Sequence, residues 1–382
     1  MTPAPGLIDW LIESAEPAAR WIVHAHLLDG DDDAELAAVE HQAVLDDPAT
    51  DALIDRLPDW RRATELSGHQ HPLFAPNLLG LLTDMGVGGG DDDRIERVLD
   101  AMLEYQLDDG RFAILAKSRA IPDGGRESLL CDTHPIAEVQ LRFGRGDDPR
   151  VRRALQTTIY DLAATAQGRG WPCRPDDVSG FRGPGRKHDL CPQATLQALR
   201  AWSYVPVADH PVDLAEVARV SLRVWRSRGD EQPYMFGHGS RFKTVKWPTT
   251  WYDVHGVLDT LGRYPALWRG PDADPEDRRS LAELVACLIA YNVADDGTVT
   301  PRSCYRGFED YSFGQKKHPS PFATARLLQV LARFADLRDE AAAVDVTALG
   351  SSKGGTGTAR PPKLPARRNA GKASTSHGIQ PA

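Results

Sequence analysis

Thiols carry the most distinctive chemistry in this chain. Cys173 and Cys191 bracket a Gly/Pro-rich, basic loop in GWPCRPDDVSGFRGPGRKHDLCPQATLQALRAW, residues 170–202, and Cys131 lies 60 residues before Cys191 at the head of CDTHP. A thiolate is a nucleophile and a soft metal ligand, and the positive end of a helix favours it. Three thiolates completed by one His or carboxylate make a tetrahedral zinc site. Zinc is therefore the expected cofactor, with Cys131, Cys173, Cys191 and His188 as ligands and Asp132 or His134 as alternatives for the fourth position. No C-x₂-C pair supports the reading, and cysteine is also among the most commonly buried residue types, so plain packing stays open beside it. Cys287, inside the apolar run LVACLIA, reads as core, whereas Cys304 falls in a loop.

A second constellation lies in KWPTTWYDVHGVL, residues 246–258. Read as the start of a helix, it sets Trp247, Trp251 and His255 at i, i+4 spacing on one face, with Asp253 pointing elsewhere. Such a face offers aromatic rings to an apolar or cationic guest and an imidazole to move protons. Asp132, His134, Asp253 and His255 form the expected catalytic set. Trp247, Trp251, Lys316 and Lys317 form the expected substrate-binding set. The two lysines precede a helix start in YSFGQKKHPSP, where side-chain charge and helix dipole together favour an anion such as diphosphate. Arg241, Lys243 and Lys246 add to the same side.

These residues must be positioned by repeated elements. Segments opening near residues 16, 71, 131, 191, 247 and 318 share one plan: a cap, an apolar helix, a short Gly/Asp/Pro turn and a second helix. The spacing of roughly 55 to 70 residues is that of a helix-hairpin repeat, which predicts an all-α fold of about six hairpins. The first helix (LIDWLIESA) and the last (FATARLLQVLARF) are both apolar, which favours closure of the array into a ring over an open solenoid with polar ends. Turns within hairpins are short. The long links, residues 113–130, 172–190 and 298–317, gather at the mouth that holds the N-termini of the first helices, where function is expected. The acidic strings at residues 29–32, 46–51 and 91–96 precede helices and read as caps.

QLDDGRF, residues 106–112, has the form Q-x-x-D-G-x-W/F, and GRGW at 168–171 is a reduced copy. In these strings the chain resembles the terpenoid cyclases and protein prenyltransferases, squalene cyclase-like α/α toroids built from prenyltransferase repeats. The resemblance spans most of residues 16–335. It implies a closed α/α toroid over residues 1–345 and an isoprenoid or other apolar substrate in a central cavity, with a prenyl diphosphate as the anionic form. Prenyltransferases hold zinc near the mouth of their toroid through Asp, Cys and His; here only the location corresponds, because the Asp-x-Cys spacing is absent. DGDD at 29–32 matches the D-x-D-D string of cyclases that protonate alkenes, but it sits at a short turn, the opposite mouth. DDGTV at 295–299 lacks both the Gln and the aromatic of the repeat. The alternative is a non-catalytic toroid that binds a peptide, lipid or protein partner.

Bulk properties set the outer limits. With 382 residues, 41% of them hydrophobic, the chain can bury a large core. A net charge of −9 argues against nucleic acid as a partner. No apolar run approaches the roughly 20 residues of a transmembrane segment, and Glu13 and Glu16 interrupt the start where a signal peptide would be apolar. A cytoplasmic protein is expected, and five cysteines, an odd number, fit free thiols better than a disulfide framework. Residues 346–382, poor in large apolar side chains, are expected to form a disordered basic tail.

Overall fold

Each apolar repeat folds as a helix hairpin in the computed structural model, which describes residues 6–30, 32–62, 69–116, 123, 125–177, 180, 188–230, 239–250 and 252–349. A short α1 (Leu7–Ile12) leads into α2 (Pro17–His26), which is followed by α3 (Asp33–Leu45) and α4 (Pro48–Ile54). The next three hairpins are α5 (Ala75–Met85) with α6 (Asp93–Glu104), α7 (Leu130–Arg142) with α8 (Pro149–Tyr160), and α9 (Pro192–Trp202) with α10 (Leu214–Ser227). After a short α11 (Gly239–Lys243) come α12 (Val254–Leu261) with α13 (Pro275–Asn292), then α14 (Pro321–Ala332) with α15 (Arg338–Ala342). The described residues are mostly helical. No described helix is long and apolar enough to cross a membrane.

The first helices of the hairpins pack on one another: α2 on α5, α5 on α7, α7 on α9, α9 on α12, α12 on α14, and α14 on α2. α7, α9, α12 and α14 are buried over most of their surface, as elements between two layers must be, and α2 and α5 less so. Every residue of α9 except Arg200 is buried, including Gln193, Thr195 and Gln197. The return helices are one-sided, and their starts share a rule. Asp47, Asp92, Asp148, Asp213 and Asp274 each cap one by accepting a backbone N–H of its first turn, and Pro follows directly in three of the five. Two of the acidic strings are thereby explained. The third differs: Asp32 is the N-cap of α3 but makes no side-chain cap bond, and the next residue, Asp33, accepts the Gly30 N–H and pairs with His24 at 2.9 Å.

The Q-x-x-D-G-x-F string joins neighbouring hairpins. Gln106 Nε2 donates to the carbonyls of Gly110 at 2.9 Å and of Arg150, in the next hairpin, at 2.7 Å. Gly110 has φ 93°, and a Cβ there would lie 2.5 Å from Thr157 Oγ1. Phe112 is wholly buried, and its N–H donates to Thr133 Oγ1 at 3.1 Å. The same link recurs where Trp171 N–H meets Thr195 at 3.2 Å and Val299 N–H meets Thr324 at 2.9 Å. Each of these threonines is the fourth residue of α7, α9 or α14. The DDGTV string thus keeps this backbone bond although it lacks the Gln and the aromatic.

The long links carry short ladders. β1 (Ile114–Ala116) pairs antiparallel with β2 (Gly125–Glu127), and β3 (Ala163–Thr165) with β4 (Gly168–Gly170). β5 (Lys246–Trp247) runs parallel to β6 (Ser303–Cys304). The last pair corrects the expected helix start at 247. A residue before proline avoids the α region, and Pro248 follows Trp247, so the helix begins only after Asp253 caps it. Trp247 and His255 therefore do not share a helix face, and Trp251 lies outside the described residues. The described residues continue past 345: Leu349 is buried and its carbonyl accepts from Lys243 Nζ at 3.4 Å. Residues 350–382, most of the expected tail, lie outside the described residues.

Candidate functional site

Cys131, Cys173 and Cys191 line one small pocket at the N-termini of α7 and α9. Cys131 is the second residue of α7, Cys191 is the N-cap of α9, and Cys173 follows β4. The backbone brings them together because Cys191 N–H donates to Trp171 O at 2.8 Å and Pro172 bridges to Leu190, which closes the base of the 173–190 loop. Leu129, Leu190, Pro192 and Tyr252 make the rest of the wall largely apolar, and the cavity measures about 60 Å³. None of the five cysteines is in a disulfide.

The fourth group at the thiols is a histidine that the spacing arguments did not single out. His69, Cys131 and Asp132 offer ligand atoms that all lie within 4.8 Å of one another. Asp132 is buried; one carboxylate oxygen accepts the Leu129 N–H at 2.9 Å while Oδ1 has no hydrogen-bond partner. Burial, reinforced by Glu127 and Asp176, pushes its pKa up to about 7. Burial, then Asp132 and Cys173, holds the Cys131 thiol well above its ordinary range. Cys191 is raised as well, first by its hydrogen bond with Cys173 and then by burial. The helix N-termini do not reverse these effects, so without a cation the Cys131 and Cys191 thiols are protonated. A buried carboxylate with an unpartnered oxygen, a histidine and three thiols form a donor set suited to a soft divalent ion.

The other expected residues fall in different places. His188 is exposed, and its described bond is the carbonyl's acceptance of the Ala166 N–H, so it does not line the thiol pocket. His134 is wholly buried, with Nδ1 bonded to the Ala194 carbonyl at 2.8 Å; burial lowers its pKa to about 4, and it is a neutral core residue. Asp253 caps α12, Oδ1 accepting from His255 and Gly256 and Oδ2 from Lys246. Burial raises Asp253 to about 7. Trp247 is buried against Phe322 and His255.

Lys316 and Lys317 are exposed in a turn organised by the Gln315 side chain, which accepts the N–H groups of Lys317 and His318. Burial, then Arg241 and Lys316, depresses the pKa of Lys246, whose ammonium stands 3.6 Å over the Tyr305 ring. Tyr305 in turn donates to the carbonyl of Gln70, a residue of the thiol pocket. Lys246, Arg241 and Lys316 are thus close to one another, and Tyr305 links Lys246 to Gln70 in the pocket wall. No family model, curated protein or solved structure matches this chain.

Between α5, α7, α9, α12 and α14 lies a different environment. His255 is buried there with neither ring nitrogen hydrogen-bonded, and burial, then Arg326, lowers its pKa to about 4. Around it are Asp84, Glu138 and Asp259, with Arg142, Arg200 and Arg326. Sequence reading passed over these arginines. Arg142 and Arg200 lie at or near the C-terminal ends of their helices, in LRFG and LRAW, as do Arg263 in LGRY and Arg333 in LARF, a signal that reads as dipole-matched cations and gives no hint of a shared cavity; Arg326 is mid-helix in α14.

Proposed function

We propose that this chain is a closed α/α toroid of the terpenoid cyclase and prenyltransferase type, an enzyme that binds zinc at its thiol-lined mouth and acts there on an isoprenoid or other apolar substrate with an anionic head. The cyclic order of helix neighbours, ending with α14 on α2, supports closure. So does Glu16, the N-cap of α2, which accepts the Phe322 N–H of α14 at 3.1 Å. The observation that carries the functional reading is the meeting of Cys131, Cys173 and Cys191 with His69 and Asp132 at one apolar-walled pocket.

Cys131, His69 and Asp132, with Cys173 or Cys191, would hold the ion. Bound zinc supplies a Lewis acid and stabilises a thiolate at neutral pH. Lys246, Arg241 and Lys316 would take the anionic head, because they lie close to one another and Tyr305 links Lys246 to Gln70 of the pocket. The apolar part of the substrate lies across Leu129, Leu190 and Tyr252 rather than in the interior, whose arginines and carboxylates would be poorly compensated beside a hydrocarbon. His134 and Asp253 serve the fold in this reading. Their structural bonds also favour a second reading, a non-catalytic toroid that binds a peptide, lipid or protein partner.

Metal analysis of the purified protein separates the two. The enzyme reading expects about one zinc per chain, lost or much weakened in Cys131→Ser and His69→Gln and retained in His188→Ala. Affinity should fall steeply on acidification because protonated thiols must release protons to bind. Farnesyl diphosphate should bind less tightly to Lys316→Ala, with little change in thermal stability, since exposed charges contribute little to folding. A zinc-free parent protein that is unaffected by chelator and does not bind the diphosphate leaves the non-catalytic reading.

A further inference from the structure

At the other end of the first helices, the C-terminal end, a second cavity of about 540 Å³ is lined by Arg142, Arg263, Arg326 and Arg333 together with His26 and Tyr204. Arg326 and Arg142 are 5% and 12% exposed, so these are not solvated surface charges. Their partners are few. Asp84 serves both Arg142 at 2.5 Å and Arg326 at 3.0 Å. Asp259 serves Arg333 at 2.8 Å and Arg263 at 3.6 Å. Glu138 serves Arg200 at 2.8 Å and Arg142 at 3.7 Å. Counting Arg200, which lies outside this cavity, five arginines share three carboxylates, of which Asp84 lines the cavity; Arg269, also in the lining, pairs separately with Asp336, and the neighbouring histidines add no negative charge.

Helix C-termini attract cations, which accounts for arginine gathering here, and carbonyl groups take part of the guanidinium capacity: Asp259 O accepts from both Arg263 and Arg333. Guanidinium groups pair bidentately with phosphate and carboxylate oxygens, and a cavity of this size matches that of small-molecule sites. We propose that this cavity binds a small ligand bearing at least two negative charges, a phosphorylated metabolite, at a site separate from the thiol-lined mouth.

Inorganic diphosphate is the probe, titrated calorimetrically into the full-length Lys246→Ala/Lys316→Ala variant so that the cationic patch at the other mouth does not contribute. One diphosphate per chain should bind. Arg263→Gln should weaken it about tenfold, the scale of one lost charge-assisted pair. Gln329→Glu keeps every arginine and adds a carboxylate at a lining position that Arg326 already contacts. It should weaken diphosphate similarly while raising the melting temperature of the ligand-free protein, because it supplies counter-charge. Absence of diphosphate binding in the double-lysine background, or binding unchanged by Gln329→Glu in a folded protein, overturns the proposal. Failure of zinc or farnesyl diphosphate binding at the opposite mouth leaves it standing.

Discussion

At the residue scale, an ionisable side chain in this molecule is defined by what it touches rather than by its type. Asp132 and Asp253 look alike in sequence, each near the start of a first helix, and burial raises both to about 7. Yet Asp253 bonds three backbone N–H groups, whereas Asp132 leaves one oxygen unpartnered beside a thiol and an imidazole. Asp253→Ala should therefore cost about 1–3 kcal/mol of stability by urea denaturation, the range for a lost cap with buried donors left unpaired. Asp253→Asn, which can still accept, should cost less. If Asp253 were instead a general base, the Asn variant would keep its stability and lose all turnover. His69 escaped the sequence reading because no local spacing links it to Cys131; only the packing of α5 beside α7 brings the segment before α5 to the thiols.

At the scale of elements, the hairpin plan was legible because its punctuation is chemical: Asp-Pro starts, Gly turns and apolar runs at helical period. The repeat register was less so. Placing copies at Cys131 and Cys191 suggested equivalent positions, but the N-caps are Leu129 and Cys191, so Cys131 corresponds to Gln193. The two thiols converge through tertiary packing and not through repeat symmetry. The fifth repeat also starts later than its aromatic run suggests, because Pro248 and the Asp253 cap override a spacing that looks helical. The staple between hairpins is testable. Gln106→Ala removes two hydrogen bonds and should destabilise by about 1–3 kcal/mol. Gly110→Ala should also destabilise, since it imposes a Cβ on a left-handed backbone against Thr157. Equal denaturation midpoints for parent and both variants would mean that the string does not hold the hairpins together.

At the scale of the whole molecule, buried titratable groups set the response to pH. His26, His134 and His255 are each lowered to about 4, mainly by burial, so below pH 6.5 the unfolded chain takes up protons that the folded chain refuses. Their contribution to stability is complete above 6.5 and is lost as pH falls toward 4. Asp132 and Asp253 act oppositely. With pKa values near 7 they hold protons in the folded state that the unfolded chain releases above 3.8, so their effect declines as pH rises from about 4 to 7. Three histidines outweigh two aspartates in the acidic window, and the aspartates alone act between 6.5 and 7. Thermal denaturation of metal-free protein should show its maximum at about pH 6.5 and a clear fall toward pH 4.5. A melting temperature that rises steadily on acidification would contradict these protonation states.

The sequence by itself determined the helical class, the hairpins, the caps and the Q-x-x-D-G-x-F staple, because each depends on residues within a turn or two of one another. It also brought the three cysteines to one end, since the direction of each first helix follows from the hairpin plan. Tertiary structure decided the rest. Which imidazole stands by the thiols, which carboxylate is only a cap, and how five arginines from α7, α9, α14 and the end of α12 come to share three carboxylates are all matters of distance between elements far apart in the chain. Local propensity and periodicity contain no such distances; close packing of the helices fixes them.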